Sequence, residues 1–122
     1  MRNGETIKCP ICGKALGHYV LDNVLPSPLG SIPYYSMKMD YRKASHHYSN
    51  KRGQKGHLCR SCAKKEFPEG KRYKVMVMHA GRPISICGED GSFFTTRQKA
   101  DDKCKDITAR QGHRYWVEEM PL

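Results

Sequence analysis

The stretches Cys9-Pro10-Ile11-Cys12-Gly13 and Leu58-Cys59-Arg60-Ser61-Cys62 each place two cysteines three positions apart. A turn with this spacing directs both sulfur atoms toward one point, and Gly13 lets the backbone fold back without a clash from a Cβ atom. Two such turns provide four soft thiolate ligands, the set that a tetrahedral Zn²⁺ prefers. The sequence therefore predicts one structural zinc ion per chain, with the ligands Cys9, Cys12, Cys59 and Cys62.

The gap between the two pairs, residues 13–58, contains 46 residues, whereas about 15–20 are common in compact zinc sites. Because the entropic cost of closing a loop rises only with the logarithm of its length, the long gap does not argue against a shared metal. Two disulfides or free buried thiols are the alternative interpretations. Since four cysteines leave no coordination position for water, the metal is predicted to hold the fold and to do no chemistry.

The composition predicts a small protein that needs such a metal. At 122 residues, with 38% hydrophobic residues, the chain makes one domain or two very small modules with a modest core. No apolar stretch has the length of a signal peptide or of a membrane span. Cysteines in such a chain favour metal binding over disulfides, so we expect a cytoplasmic protein that does not associate with membranes.

The positive charge is concentrated in one part of the chain. The formal net charge is +1 for residues 1–37, +9 for residues 38–74 and zero for residues 75–122. A local basic field attracts polyanions, so nucleic acid (DNA or RNA) or an acidic protein surface is the predicted partner. A solvated face that keeps the protein soluble is the alternative.

The residues predicted to contact this partner lie in and around the basic stretch. Tyr48 has basic residues on both sides and could stack on a base, or it could pack on the rim of the metal site. The predicted contact set is Arg42, Lys43, Tyr48, Lys51, Arg52, Lys55, Arg60, Lys64 and Lys65.

Residues 1–70 are predicted to form the zinc module. Its prolines indicate a loop over residues 22–33, and a clean alternation indicates a half-buried strand over residues 35–42. Residues 43–57 have no apolar period and are predicted to be an exposed, mobile loop. Cys62 is predicted to open a short helix that ends at Pro68.

Residues 71–122 are predicted to form a β-β-α-β unit, which makes the fold class α+β, with one core that the two units could share. A hairpin is followed by a helix that begins at a Thr95 cap and ends at Gly112. Trp116 and Phe93 or Phe94 are predicted to lie in the core. Two further cysteines are predicted to be small buried residues, with a disulfide or extra metal ligation as the alternatives: Cys87 and Cys104.

The order of these motifs resembles the treble-clef class of zinc fingers. Within that class, the segments Asp22-Asn23-Val24-Leu25-Pro26 and Leu58-Cys59-Arg60-Ser61-Cys62 are similar to motifs of zinc-bearing HNH endonucleases. Where that family has its general-base histidine, this chain has Asn23, whose amide has no pKa suited to accept a proton from water. Ala63 also stands where such families often place asparagine or histidine. The resemblance therefore implies a nuclease scaffold with no predicted catalytic residues.

Three functions fit the sequence. The first is a zinc-stabilised nucleic-acid-binding protein that is not an enzyme. The second is a small phage-type inhibitor or adaptor that docks on another protein, which could itself bind nucleic acid. The third is an HNH-like nuclease that uses His46 or His47. The sequence does not specify the oligomeric state, nor a role for His57.

Overall fold

The computed structural model describes residues 2–122, and its mixed α and β composition is in line with the predicted α+β class. All strand pairs are antiparallel, and they form three sheets with the orders β1-β2-β3, β4-β5 and β7-β6-β8. The elements are β1 Thr6–Lys8, β2 Ala15–Ser27, β3 Gly30–Met39, β4 Ala44–Ser49, β5 Gly56–Cys59, α1 Arg60–Glu66, β6 Lys71–His79, β7 Arg82–Ser85, α2 Arg97–Gln111 and β8 Tyr115–Pro121.

The β2–β3 hairpin replaces the predicted loop over residues 22–33, and that prediction is wrong. The two strands pair from Gly17 and Met39 out to Ser27 and Gly30. Pro28 lies in the turn, whereas Pro26 and Pro33 are tolerated in the strands because, among the described residues, β2 beyond Leu21 pairs with β3 alone. Both strands therefore have a free edge there, where a missing N–H donor costs little.

Gly17 lets the base of this hairpin close. A Cβ atom at this position would clash with the carbonyl oxygen of Lys38 and would lie 2.9 Å from the Cα atom of Met39. We expect Gly17→Ala to lower the free energy of unfolding by about 1–3 kcal/mol, because backbone atoms cannot move aside cheaply. Urea denaturation measures this change. Ser31→Ala at the far end of the hairpin is the control, and an unchanged midpoint for Gly17→Ala would contradict the close approach.

Most of the β4–β5 hairpin lies inside residues 43–57, which were predicted to be an exposed, mobile loop. That prediction is wrong for residues 44–49 and 56–57, which belong to strands. The side chains that β4 turns inward are polar, namely Ser45, His47 and Ser49, and all three are fully buried. A buried polar face gives no apolar period, so the pattern did not reveal this strand.

The sheet β7-β6-β8 packs against α2. Thr96 caps the start of α2 by accepting a hydrogen bond from the Lys99 backbone N–H, one residue later than predicted. Gly112 ends the helix with φ 73°, as predicted for a left-handed C-terminal position. The core between sheet and helix contains Tyr73, Val75, Phe94 and Ala100, with Ile86, Cys104, Tyr115 and Val117 packed against it.

Two predictions for this core are wrong. Trp116 lies outside it, because strand period two places Tyr115 and Val117 on the helix-facing side and Trp116 on the other. Its indole N–H donates to the exposed carboxylate of Glu118. Cys87 is exposed rather than buried, since it follows the end of β7.

A second core cluster includes cysteines of both pairs. It contains Leu16, Ala44, Leu58 and Ala63 together with three of the cysteines, and Met39 and Leu122 pack against it. No helix in residues 2–122 is long and apolar enough to cross a membrane.

Candidate metal centre and the basic surface around it

The four predicted cysteine ligands lie together in the structure. Their sulfur atoms are 3.5–3.9 Å apart, and those of Cys12 and Cys59 are separated by 3.6 Å. Four thiolates at about 2.3 Å from a tetrahedral Zn²⁺ have sulfur atoms about 3.8 Å apart. The donor set and its spacing therefore fit a metal ion.

The first pair is shaped by a tight turn. The backbone N–H of Cys9 donates to the carbonyl oxygen of Lys14 at 2.9 Å, and Gly13 donates back to the Cys9 carbonyl oxygen at 2.8 Å. Gly13 adopts φ 77°, which residues with a Cβ atom rarely do. The turn thus closes around the sulfur atoms as the sequence predicts.

The second pair lies at the junction of β5 and α1. Cys59 ends β5 and caps α1, and its sulfur atom accepts a hydrogen bond from the Cys62 backbone N–H at 3.4 Å. This junction brings both sulfur atoms against those of the first turn. Cys12 is exposed, whereas the other three cysteines are buried.

The thiols differ in acidity. Burial opposes ionisation of Cys9, but hydrogen bonds from three backbone N–H groups, the first from Cys59, outweigh it and lower the pKa of its thiol to about 6. Burial and the neighbouring sulfur atoms raise the pKa of the Cys62 thiol to about 12. Because crowded thiolates repel one another, all four can ionise together only around a cation.

A basic groove opens beside α1. It has a volume of about 730 Å³, and its lining includes the predicted contact residues Arg60 and Lys64. Lys71 also lines it and forms an exposed ion pair with Glu119 at 3.2 Å. The rest of the lining consists of His46, Ser61, Gly70, Pro121 and Leu122.

A second cavity, of about 400 Å³, lies beside the cysteine cluster, and its lining includes Cys12, Lys51 and Lys65. The Lys51 ammonium lies 2.7 Å from the Glu66 carboxylate, whose side chain is 8% exposed. This pair partly neutralises Lys51. Four of the nine predicted contact residues thus line a cavity, Arg60 and Lys64 the first, and Lys51 and Lys65 the second.

The remaining five predicted contact residues are exposed and line neither cavity. Arg42 donates to the carboxylate of Asp40, and that hydrogen bond lowers the pKa of Asp40. Tyr48 is 41% exposed, and its ring meets that of His57 edge-on with centroids 5.2 Å apart. The other three are exposed, namely Lys43, Arg52 and Lys55.

A buried polar network was missed by the sequence analysis. Asp90 Oδ2 accepts from His47 Nε2 at 2.8 Å and from Ser49 Oγ at 3.0 Å, while Oδ1 accepts from the Asn50 backbone N–H at 2.7 Å. The Glu66 carboxylate also lies close enough to the side chains of His47 and Asp90 that the three could hold a metal ion. Because protein donors already occupy both Asp90 oxygens, we interpret the group as a structural network.

The resemblance to treble-clef zinc fingers and HNH endonucleases rests on the cysteine pairs and on residues 22–26. Those five residues lie exposed on β2, and the strand pairing shifts register between Leu21 and Asn23. Comparison with known protein families, with curated proteins and with solved structures finds no match for this chain.

Proposed function

We propose that this chain is a zinc-stabilised, basic nucleic-acid-binding protein without catalytic activity, and that its cysteine cluster holds one structural Zn²⁺. All six cysteines are free of disulfides, which suits a reducing compartment such as the cytoplasm. Four thiolates around one Zn²⁺ form an anionic centre, which the cations of the surrounding surface counterbalance.

The basic groove is the observation that carries this proposal. Arg60 and Lys64 extend from the helix that the second cysteine pair begins, so the metal site would fix where their charges lie. Lys71 contributes a third cation from the start of β6. Cations gathered along an open groove bind phosphates and release condensed counterions.

The positions of the histidines support a role without catalysis. His47 is fully buried and bonded to Asp90, so its ring cannot reach the phosphate of a substrate. Asn23 lies exposed on the hairpin and cannot act as a general base. His46 is exposed, but the other side chains that line the groove include no carboxylate to orient it.

The test is a salt titration of binding to purified DNA and RNA. We expect the double variant Lys64→Gln, Lys71→Gln to bind more weakly than the wild type. Each lost phosphate contact should reduce the slope of log affinity against log salt by about 0.9 on duplex DNA. Zinc content and melting temperature should stay unchanged, because both side chains are exposed.

The matched control is Lys103→Gln, Lys105→Gln, which removes the same charge from α2. It should leave affinity and slope nearly unchanged, since these residues do not line the groove. Equal losses in both double variants would point to a diffuse charge effect instead. No binding to DNA or RNA at low salt by a folded, metal-loaded sample would refute the proposal.

The projecting hairpin favours a second candidate, a protein-directed inhibitor or adaptor. Residues 19–37 carry one charged residue, Asp22, and Leu29 at the tip is fully exposed. The other exposed apolar side chains there are Leu21, Val24, Leu25, Ile32, Tyr34 and Met37. Affinity capture from a nuclease-treated lysate distinguishes the two functions. A protein partner bound by the hairpin would still be captured after nuclease treatment, and the double variant Leu25→Ser, Leu29→Ser would no longer capture it.

A further inference from the structure

A stacked aromatic pair stands at the edge of the basic groove. The rings of Tyr41 and His46 have centroids 4.3 Å apart and planes inclined by 18°. Both residues are exposed, Tyr41 by 42%, and His46 lines the groove. Since neither ring belongs to a core cluster, packing does not account for their arrangement.

Hydrogen bonds hold the turn that carries Tyr41. Arg60 Nε donates to the Tyr41 carbonyl oxygen at 2.7 Å, which ties the aromatic turn to the groove. The carbonyl oxygen of Asp40 accepts from the backbone N–H groups of Lys43 and Ala44 at 3.0 and 2.9 Å. An aromatic ring on a fixed turn loses little conformational entropy when a ligand stacks on it.

A second exposed ring lies on the same strand. Tyr48 follows His46 by two positions on β4, and the residue between them, His47, is buried. His46 and Tyr48 therefore share the outer face of the strand. This face thus presents two exposed aromatic rings, of which His46 lines the groove.

We propose that the groove binds single-stranded nucleic acid, with an unpaired base stacked on the Tyr41–His46 pair and phosphates contacted by Arg60, Lys64 and Lys71. This inference rests on the nucleic-acid-binding function proposed above. A base inside a duplex is stacked on its neighbours and offers no free face, whereas every unpaired base does. Tyr48 provides a second site on which another base of the bound nucleic acid stacks.

Fluorescence anisotropy with labelled oligonucleotides tests this proposal. The probes are oligothymidylate and oligouridylate of about 12 nucleotides, together with a DNA duplex of the same length. The wild type should bind a single strand more tightly than the duplex, and the two single strands show which sugar is preferred. Tyr41→Ala should weaken single-strand binding about tenfold, which is typical of one lost base stack.

Three further observations separate stacking from a structural effect. Tyr41→Ala should leave the salt slope unchanged, because stacking releases no counterions. Tyr41→Phe should retain wild-type affinity, since it keeps the ring. Tyr34→Ala is the matched control, because Tyr34 is 51% exposed on the β2–β3 hairpin and should not affect binding.

Equal affinity for duplex and single strand, with Tyr41→Ala within about twofold of wild type, would overturn the single-strand inference and leave nucleic-acid binding intact. An equal loss on both kinds of probe would also overturn it, because a stacking residue acts only on unpaired bases. Absence of binding to every probe at low salt would refute the underlying function as well.

Discussion

Replacing Cys59 with serine is expected to abolish metal binding and to unfold the part of the chain around the cysteine cluster. Cys59 is 1% exposed and lies at the end of β5. Its sulfur atom is a predicted metal ligand and also caps the start of α1. The apparent free energy of binding a structural zinc ion is about 10–16 kcal/mol near neutral pH, which exceeds the stability of most small domains. Metal analysis and thermal unfolding by circular dichroism measure both effects.

Cys87→Ser is the matched control for this prediction. Cys87 is free and exposed, so its loss should leave the metal content at one ion per chain and the melting curve unchanged. A strong chelator added to the wild type should reproduce the effect of Cys59→Ser. A wild-type chain that keeps its melting curve after verified metal removal would contradict the prediction, because the metal would then not hold the fold.

Each half of the cysteine cluster was predictable because its information is local. A Cys-x-x-Cys spacing and a glycine at the required φ bring two sulfur atoms together without help from the rest of the chain. The end of α2 at Gly112 was predictable for the same reason, since a left-handed residue terminates a helix wherever it occurs. The meeting of the two cysteine pairs in space was predicted from the four ligands that a structural zinc ion takes, which the two turns together provide.

The sequence predictions were wrong where contacts with distant parts of the chain determine burial or pairing. Trp116 and Val117 are adjacent in β8 and both are partly exposed, and the position of α2 determines that Val117 is the one that packs against the core. The prolines of residues 22–33 indicated a loop, yet Pro26 and Pro33 fit strands whose edges are free, and only Pro28 lies in the turn between them. The Tyr41–His46 stack joins residues of a turn and a strand that the sequence predicted to be separate elements.

The buried face of β4 could not be predicted from hydrophobicity because it is polar. His47 and Ser49 are buried only because Asp90, more than 40 positions later, supplies a carboxylate between them. Residues 45–49, Ser-His-His-Tyr-Ser, show no alternation of apolar and polar side chains, so the sequence gives no sign of which side faces inward. Such a network is recognisable only when its distant partner is known.

Removing the carboxylate of Asp90 is expected to cause the second large effect. Asp90→Ala leaves a buried imidazole, hydroxyl and backbone N–H without their acceptor, and it disconnects β4 from the turn before Phe93. Each buried donor left without an acceptor typically costs about 1–3 kcal/mol, so the loss of all three bonds should cost at least about 3 kcal/mol. Asp106→Ala, whose carboxylate makes an exposed ion pair with Arg110, should change stability by less than about 1 kcal/mol.

Urea denaturation of Asp90→Ala at several pH values tests this prediction. Burial alone would raise the pKa of Asp90, but donors led by the Asn50 N–H outweigh it and hold the pKa below its usual value. A carboxylate with a lowered folded pKa stabilises the protein above its unfolded pKa of about 3.9, and this contribution disappears as the pH falls further. The difference in free energy of unfolding between wild type and Asp90→Ala should therefore be constant near neutral pH and should decrease in acid.

A difference below about 1 kcal/mol at neutral pH would show that the network contributes no stability. Adding His47→Phe to Asp90→Ala should recover part of the loss, because no unpaired imidazole then remains buried.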